Sequence, residues 1–201
     1  MFKKLVMITS IDQLDFDKTY SYADYLTWQF KERFEIWKGK LSRMSPDPNT
    51  SHQRAVGNLH GMMWNKFKNH SCQLFTAPFD VRLLDKKKST LDQEVFTVVQ
   101  PDLCVICDEN KLDQRGAFGA PDLVIEILSP GNSKKEMKYK YDLYQEAGVL
   151  EYWIVNPTDK TCLIYVLRDN IFIGLHPLIE EDKITSPLFP QLDFIIEEIF
   201  N

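Results

Sequence analysis

Three side chains stand where their chemistry is at odds with their surroundings. Glu126 interrupts the apolar run Val124-Ile125-Glu126-Ile127-Leu128, Asp102 heads a second run in Gln100-Pro101-Asp102-Leu103-Cys104-Val105, and Lys140 recurs with apolar residues at helical spacing. A charge inside an apolar element must be paired, neutralised or bound to a metal, because an isolated buried charge is expensive. Acids on neighbouring strands suit a hard divalent cation, since Mg²⁺ takes one or two protein carboxylates and keeps waters for a substrate phosphate. A lysine beside them can position water and offset the charge that builds on a pentavalent phosphorus. Acid, acid and lysine around a metal describe phosphodiester hydrolysis.

The helix phase makes Lys140 conspicuous. At 100° per residue from Lys140, Met137 lies at about +60°, Leu143 at about −60°, Tyr144 at about +40° and Ala147 at about −20°, so the lysine is central to the apolar stripe. Lys134, Lys135 and Lys138 fall on the opposite, solvent-facing side. A lysine so placed must snorkel or meet an anion. Two partners compete: Glu136, one turn earlier on the same helix, and Glu126 on the strand beneath. Asp102 also has a plainer reading as a strand-end or turn aspartate. Asp122 shares a face with Glu126 but lies roughly 13 Å along the strand, so it is expected to be structural.

The elements that must carry these residues are legible in outline. Leu123–Leu128 is a buried strand that stops at Ser129-Pro130-Gly131. Ser133-Lys134-Lys135-Glu136 has capping-box spacing and Gly148 is a C-terminal stop, giving a helix over Ser133–Ala147. Glu151–Val155 follows as a strand, which makes a βαβ crossover with a parallel strand pair. Upstream, the pattern predicts a helix within Tyr20–Phe30, a hairpin of Phe34–Ile36 and Leu41–Met44 around Gly39, and a helix over His52–Phe67. Strands are expected near Gln73–Thr76, Asp80–Leu84, Val95–Val99 and Leu103–Cys107, with loops at Asp85–Glu94 and Asp108–Ala120. Cys162–Val166, Phe172–Leu175 and Phe194–Ile196 complete a mixed sheet, so the fold class is α/β with a mixed sheet flanked by helices.

Composition bounds the answer. The chain has 201 residues, with 44% hydrophobic and 26% charged, which fits one globular domain spanning 1–201 and excludes disordered and collagen-like classes. No run reaches the roughly 18 to 20 apolar residues of a membrane span, and the start of the chain lacks a secretory pattern, so a cytoplasmic protein with four reduced cysteines is expected. A net charge of −5, from 24 Lys and Arg against 29 Asp and Glu, counts against a nucleic-acid partner unless cationic density is local.

Pro101-Asp102, Pro121-Asp122-Leu123-Val124-Ile125-Glu126-Ile127-Leu128-Ser129-Pro130, Lys140-Tyr141-Asp142-Leu143-Tyr144-Gln145-Glu146-Ala147-Gly148-Val149 and Glu151-Tyr152-Trp153-Ile154-Val155-Asn156-Pro157 closely resemble the Uma-type family of putative restriction endonucleases, within the PD-(D/E)XK nuclease superfamily. Looser matches extend the resemblance through Tyr22–Leu26, Glu35–Leu41, Met44-Ser45-Pro46 and His52. It implies a restriction-endonuclease-like core and Mg²⁺-dependent cleavage of DNA, with Mn²⁺ as the alternative ion. On that reading Asp102 and Glu126 bind the metal. The superfamily lysine, usually two residues after the second acid, is replaced there by Leu128, and Lys140 on the following helix matches this family's lysine. Glu35 matches an upstream acid that completes the site, against a plainer reading as a solvent-facing hairpin residue. Lys38 and Lys40 stand where the family often carries acids.

Other candidates have mundane readings. Cys104 and Cys107 have half-zinc-site spacing without a second pair, and alternation turns their thiols to opposite faces. His52 is expected to cap or pack a helix; His60, His70 and His176 lack ligand spacing. Lys86-Lys87-Lys88 is a solvated loop run or a DNA contact. Tyr139, Tyr141 and Tyr144 are expected to pack. The expected partner is DNA, with the protein a monomer or a homodimer. The rival functions are a catalytically inactive nuclease-fold scaffold or nucleic-acid-binding module, and hydrolysis of RNA or nucleotides.

Overall fold

In the computed structural model, residues 7–44, 49–84, 91–130 and 134–201 are described. Ser45-Pro46, Lys86-Lys87-Lys88 and the Ser133 cap lie outside them. The chain forms α1 (Tyr22–Tyr25), the hairpin β1 (Phe34–Trp37) and β2 (Lys40–Arg43), and α2 (Thr50–Phe67). β3 (Gln73–Thr76), β4 (Val81–Leu83), β5 (Thr97–Val99), β6 (Leu103–Ile106), β7 (Leu112–Asp113) and β8 (Gly116–Phe118) follow. β9 (Leu123–Ile127), α3 (Lys134–Ala147), β10 (Glu151–Asn156), β11 (Thr161–Arg168), β12 (Ile171–Gly174) and α4 (Glu197–Phe200) complete the order.

The strands build two six-stranded mixed sheets, ordered β2-β1-β5-β4-β8-β7 and β12-β11-β10-β9-β6-β3. The expected mixed α/β class with flanking helices holds, but the strands divide between two sheets instead of forming one. The second sheet buries Leu123, Ile125, Ile127 and Trp153 against α2 and the C-terminal segment. Its other face packs Val124, Tyr152 and Ile154 with Leu143 and Tyr144 of α3 and with Val81 and Ala117 of the first sheet. Covered on both sides, β9 can be apolar almost throughout. An aromatic cluster around Tyr20, Tyr22 and Phe34 closes the far side of the first sheet.

β9 and β10 pair in parallel with α3 between them, as the crossover pattern requires. Gly148 ends α3 at φ +88, where its N–H and that of Val149 return to the carbonyls of Gln145 and Tyr144 at 3.2 and 3.0 Å. These two bonds form a Schellman stop, and a left-handed C′ position favours glycine. The β1–β2 turn also needs positive φ at both central residues, Lys38 and Gly39, and a Cβ on Gly39 would lie 2.4 Å from Thr19 Cγ2.

Several local expectations fail where tertiary pairing decides the outcome. The Tyr20–Phe30 helix contracts to Tyr22–Tyr25, capped by Ser21 and Asp24, with Tyr22 stacked on Tyr25 and Trp28 meeting Phe34 of β1 edge-on. The polar stretch 108–120 is not all loop; it holds the β7–β8 hairpin, whose Ala117 and Phe118 pair in parallel with Val81 and Arg82. Phe194–Ile196 makes an isolated bridge between Ile195 and Lys183, not a strand. The cysteines are not all reduced, since Cys72 and Cys107 are bonded across 35 residues. The antiparallel register Gln73↔Ile106 sets these two residues directly opposite each other. Cys104 and Cys162 are buried free thiols. Among the described residues no helix is long and apolar enough to cross a membrane.

Candidate active site

β9 delivers Glu126 toward α3, and α3 returns Lys140 to it. The Lys140 ammonium donates to both Glu126 oxygens, Oε1 at 2.9 Å and Oε2 at 3.0 Å, and lies 3.3 Å from Glu35 Oε1. Of the two competing partners, the strand acid is the one within ion-pair distance. Tyr144, one turn after Lys140, donates its hydroxyl to Glu126 Oε1 at 2.5 Å. Glu35 is only 2% exposed, which overturns its reading as a solvent-facing hairpin residue. Its Oε1 accepts from the Gln100 backbone N–H at 2.8 Å and its Oε2 from Trp37 Nε1 at 2.9 Å.

Asp102 lies just before β6, on the other side of β9. The Ile127 N–H donates to its Oδ2 at 2.8 Å, and His52 Nε2 approaches the same oxygen at 3.3 Å. Among the described residues Oδ1 has no hydrogen-bond partner. Glu35, Asp102, Glu126, Lys140 and His52 line one cleft of about 170 Å³. Asp122 is structural, its carboxylate accepting the Cys107 N–H at 2.8 Å.

The electrostatics follow from the burial. Desolvation pushes the Glu126 carboxyl up, with the Asp102 and Glu35 charges adding to it, while Lys140 and the Tyr144 hydrogen bond pull it down. Burial pulls Lys140 down, yet the Glu126 and Glu35 carboxylates outweigh that and hold it well above the ordinary lysine value. The lysine charge is the better secured of the pair, because it faces two acids.

Among the described residues no group of three or more His, Cys, Asp or Glu side chains is arranged to hold a metal. Asp102 and Glu126 offer oxygen donors only, in a cleft that also holds Glu35 and the Lys140 ammonium. Such donors would suit a hard divalent cation and would not suit a structural zinc site.

His52 and Tyr144 are contributions that sequence reasoning missed. The Asn49 side chain caps α2 by accepting the His52 N–H at 2.9 Å, which helps fix the imidazole beside Asp102. The sequence signals for Tyr144 are its place on the stripe of Lys140 and its place in the segment from Lys140 to Val149 that carries the family resemblance.

Comparisons with known proteins bear on the family and the fold. A sequence profile described as Uma2, putative restriction endonuclease, matches residues 22–197. An uncharacterized protein of Synechocystis sp. is 22% identical over 153 residues, covering 75% of each chain. The crystal structure of a putative nuclease belonging to DUF820 from Anabaena variabilis superposes with a TM-score of 0.66 at 18% identity, over 90% of this chain and 97% of that one. The fold is thus restriction-endonuclease-like.

Proposed function

Because the chain belongs to the Uma2 family of putative restriction endonucleases, we propose that it is a divalent-metal-dependent endonuclease that hydrolyses DNA phosphodiester bonds. One observation carries the reading: Lys140 bridges Glu126 and Glu35 in the same cleft as Asp102. On this reading residues 1–201 act as one nuclease domain in the cytoplasm, as a monomer or homodimer.

Asp102 and Glu126 would hold Mg²⁺, or Mn²⁺ in its place. When bound, such an ion polarises the phosphoryl oxygen and lowers the pKa of a water. Ile127 and His52 orient Asp102 through Oδ2 and leave Oδ1 for the site. Lys140, its ammonium held by Glu126 and Glu35, would act on the attacking water and on the developing negative charge through its positive charge, without giving up a proton. Burial keeps bulk water from weakening these contacts.

The test is nicking of supercoiled plasmid with Mg²⁺ by wild type, Glu126→Ala and Lys140→Ala. Loss of about 10² to 10³ in rate is expected in each variant. Equal residual nicking by all three overturns the reading. A non-catalytic nucleic-acid-binding module is favoured by one observation, the engagement of both Glu126 oxygens by Lys140. Mn²⁺ titration separates the two: binding lost in Glu126→Ala supports the enzyme, and no binding at millimolar Mn²⁺ supports the module.

A further inference from the structure

A cleft lined by Glu35, Asp102 and Glu126 repels a phosphodiester, and a net charge of −5 deepens the problem. One cation on its lining is held in an unusual way. Arg33, immediately before β1, donates Nε and Nη2 to Gln100 Oε1 at 3.2 and 2.7 Å. Its anchor is a neutral amide, and among the described residues no carboxylate lies within ion-pair distance of it. The anchor is itself fixed. Gln100 is 7% exposed, and its Nε2 donates to Asp80 Oδ1 at 2.7 Å and to the Tyr25 hydroxyl at 3.2 Å, which forces Oε1 toward Arg33.

We propose that Arg33 binds a backbone phosphate of the substrate strand, next to the phosphate that is cut. This rests on the nuclease reading of the same cleft. Two of the five guanidinium N–H groups are spent on Gln100, and the remaining three keep an edge that can grip a phosphate with the charge uncancelled. Alternation along the strand puts Arg33 on the face of Glu35, about 7 Å along the chain. Gln100 couples the two residues, because its amide oxygen holds Arg33 while its backbone N–H holds Glu35 at 2.8 Å. The phosphate grip and the Lys140 anchor are therefore set by one buried residue.

The test measures binding of a 30-base-pair duplex by fluorescence anisotropy across a salt series, in EDTA, so that cleavage plays no part. The proteins are wild type, Arg33→Ala, Arg33→Lys, and Arg168→Ala as a charge-matched control on β11 outside the cleft lining. Arg33→Ala is expected to weaken binding by about tenfold and to lower the slope of log K against log salt by about 0.9. Arg33→Lys, which keeps the charge and loses the fork, is expected to keep the slope with intermediate affinity. Circular dichroism melts check that each variant is folded. Wild-type affinity and slope in Arg33→Ala, an equal loss in Arg168→Ala, or no duplex binding by wild type overturns the proposal. The outcomes separate from the parent reading. Nicking with Mg²⁺ alongside an unchanged Arg33→Ala overturns the phosphate contact alone, and a lost contact in a protein that cuts nothing overturns hydrolysis alone.

Discussion

Lys140 on α3 spans both carboxylate oxygens of Glu126 on β9, at 2.9 and 3.0 Å, with each residue only 8% exposed. The pair joins the helix of the crossover to the strand it covers, so it is structural as well as chemical. Removing the lysine leaves Glu126 and Glu35 buried without their shared cation, whereas removing Glu126 still leaves Lys140 paired with Glu35 at 3.3 Å. Lys140→Met is expected to destabilise the fold by about 3–5 kcal/mol, Glu126→Ala by less, and the double variant by clearly less than the sum. Chemical denaturation of the four proteins gives the cycle, and strict additivity would contradict the coupling.

His52 touches Asp102 on the oxygen that Ile127 also holds. Its removal is expected to weaken Mn²⁺ binding by about 10- to 100-fold, the usual effect of losing a group that orients a ligand. Calorimetric titration of His52→Ala against wild type makes the measurement. An unchanged Mn²⁺ affinity would reduce the histidine to a packing residue.

Tyr144→Phe deletes only the hydroxyl bonded to Glu126. The expected cost is about 1–3 kcal/mol, because a buried acceptor loses a donor while the ring packing is kept. Urea unfolding at pH 7 reads it, and a variant as stable as wild type would count against the bond.

Glu151 supplies a pH dependence away from the cleft. Burial raises its carboxyl above the ordinary value, opposed by hydrogen bonds from Trp153, Leu188 and Ser186. Between the unfolded value of about 4.3 and the raised folded value, the native state binds more protons than the unfolded one, so stability falls as pH rises through that window. Glu151→Gln is expected to flatten the fall, although it weakens the fold at low pH by mismatching one donor. Unfolding midpoints from pH 4 to 7 test the slope.

The Cys72–Cys107 bond closes a loop over a separation of 35 residues. Thiol titration of the unreduced, denatured protein is expected to find two free groups, Cys104 and Cys162. Cys72→Ser is expected to cost about 3–4 kcal/mol relative to the oxidised protein, by the loop-entropy rule. Four titratable thiols would contradict the bond.

The parts of the site that could be read from sequence are those where a local period conflicts with residue type. Alternation picks out Glu126 within an apolar strand, and helical phase picks out Lys140 within an apolar stripe. The stops at Pro130 and Gly148 fix the elements between them. What could not be read depends on pairing at long range. Cys72 and Cys107 meet because of a strand register, β7 and β8 exist because β4 offers a parallel partner, and His52 reaches Asp102 across 50 residues. The aromatic run near Tyr22 has helical spacing, but Trp28 and Phe30 meet Phe34 of β1 edge-on, a contact between elements that local spacing does not reveal.

Position 128, two residues past Glu126, holds a leucine, and the cation arrives from α3 instead. The strands carry the two acids, with His52 of α2 beside Asp102, but their counter-charge exists only when α3 is docked. A chain with β6 and β9 paired and α3 undocked would present bare carboxylates, with neither the ammonium nor the Tyr144 hydroxyl in place. Completion of the charge arrangement therefore requires α3 to be docked, and solvent protection of the α3 amides should rise together with the Lys140–Glu126 pairing.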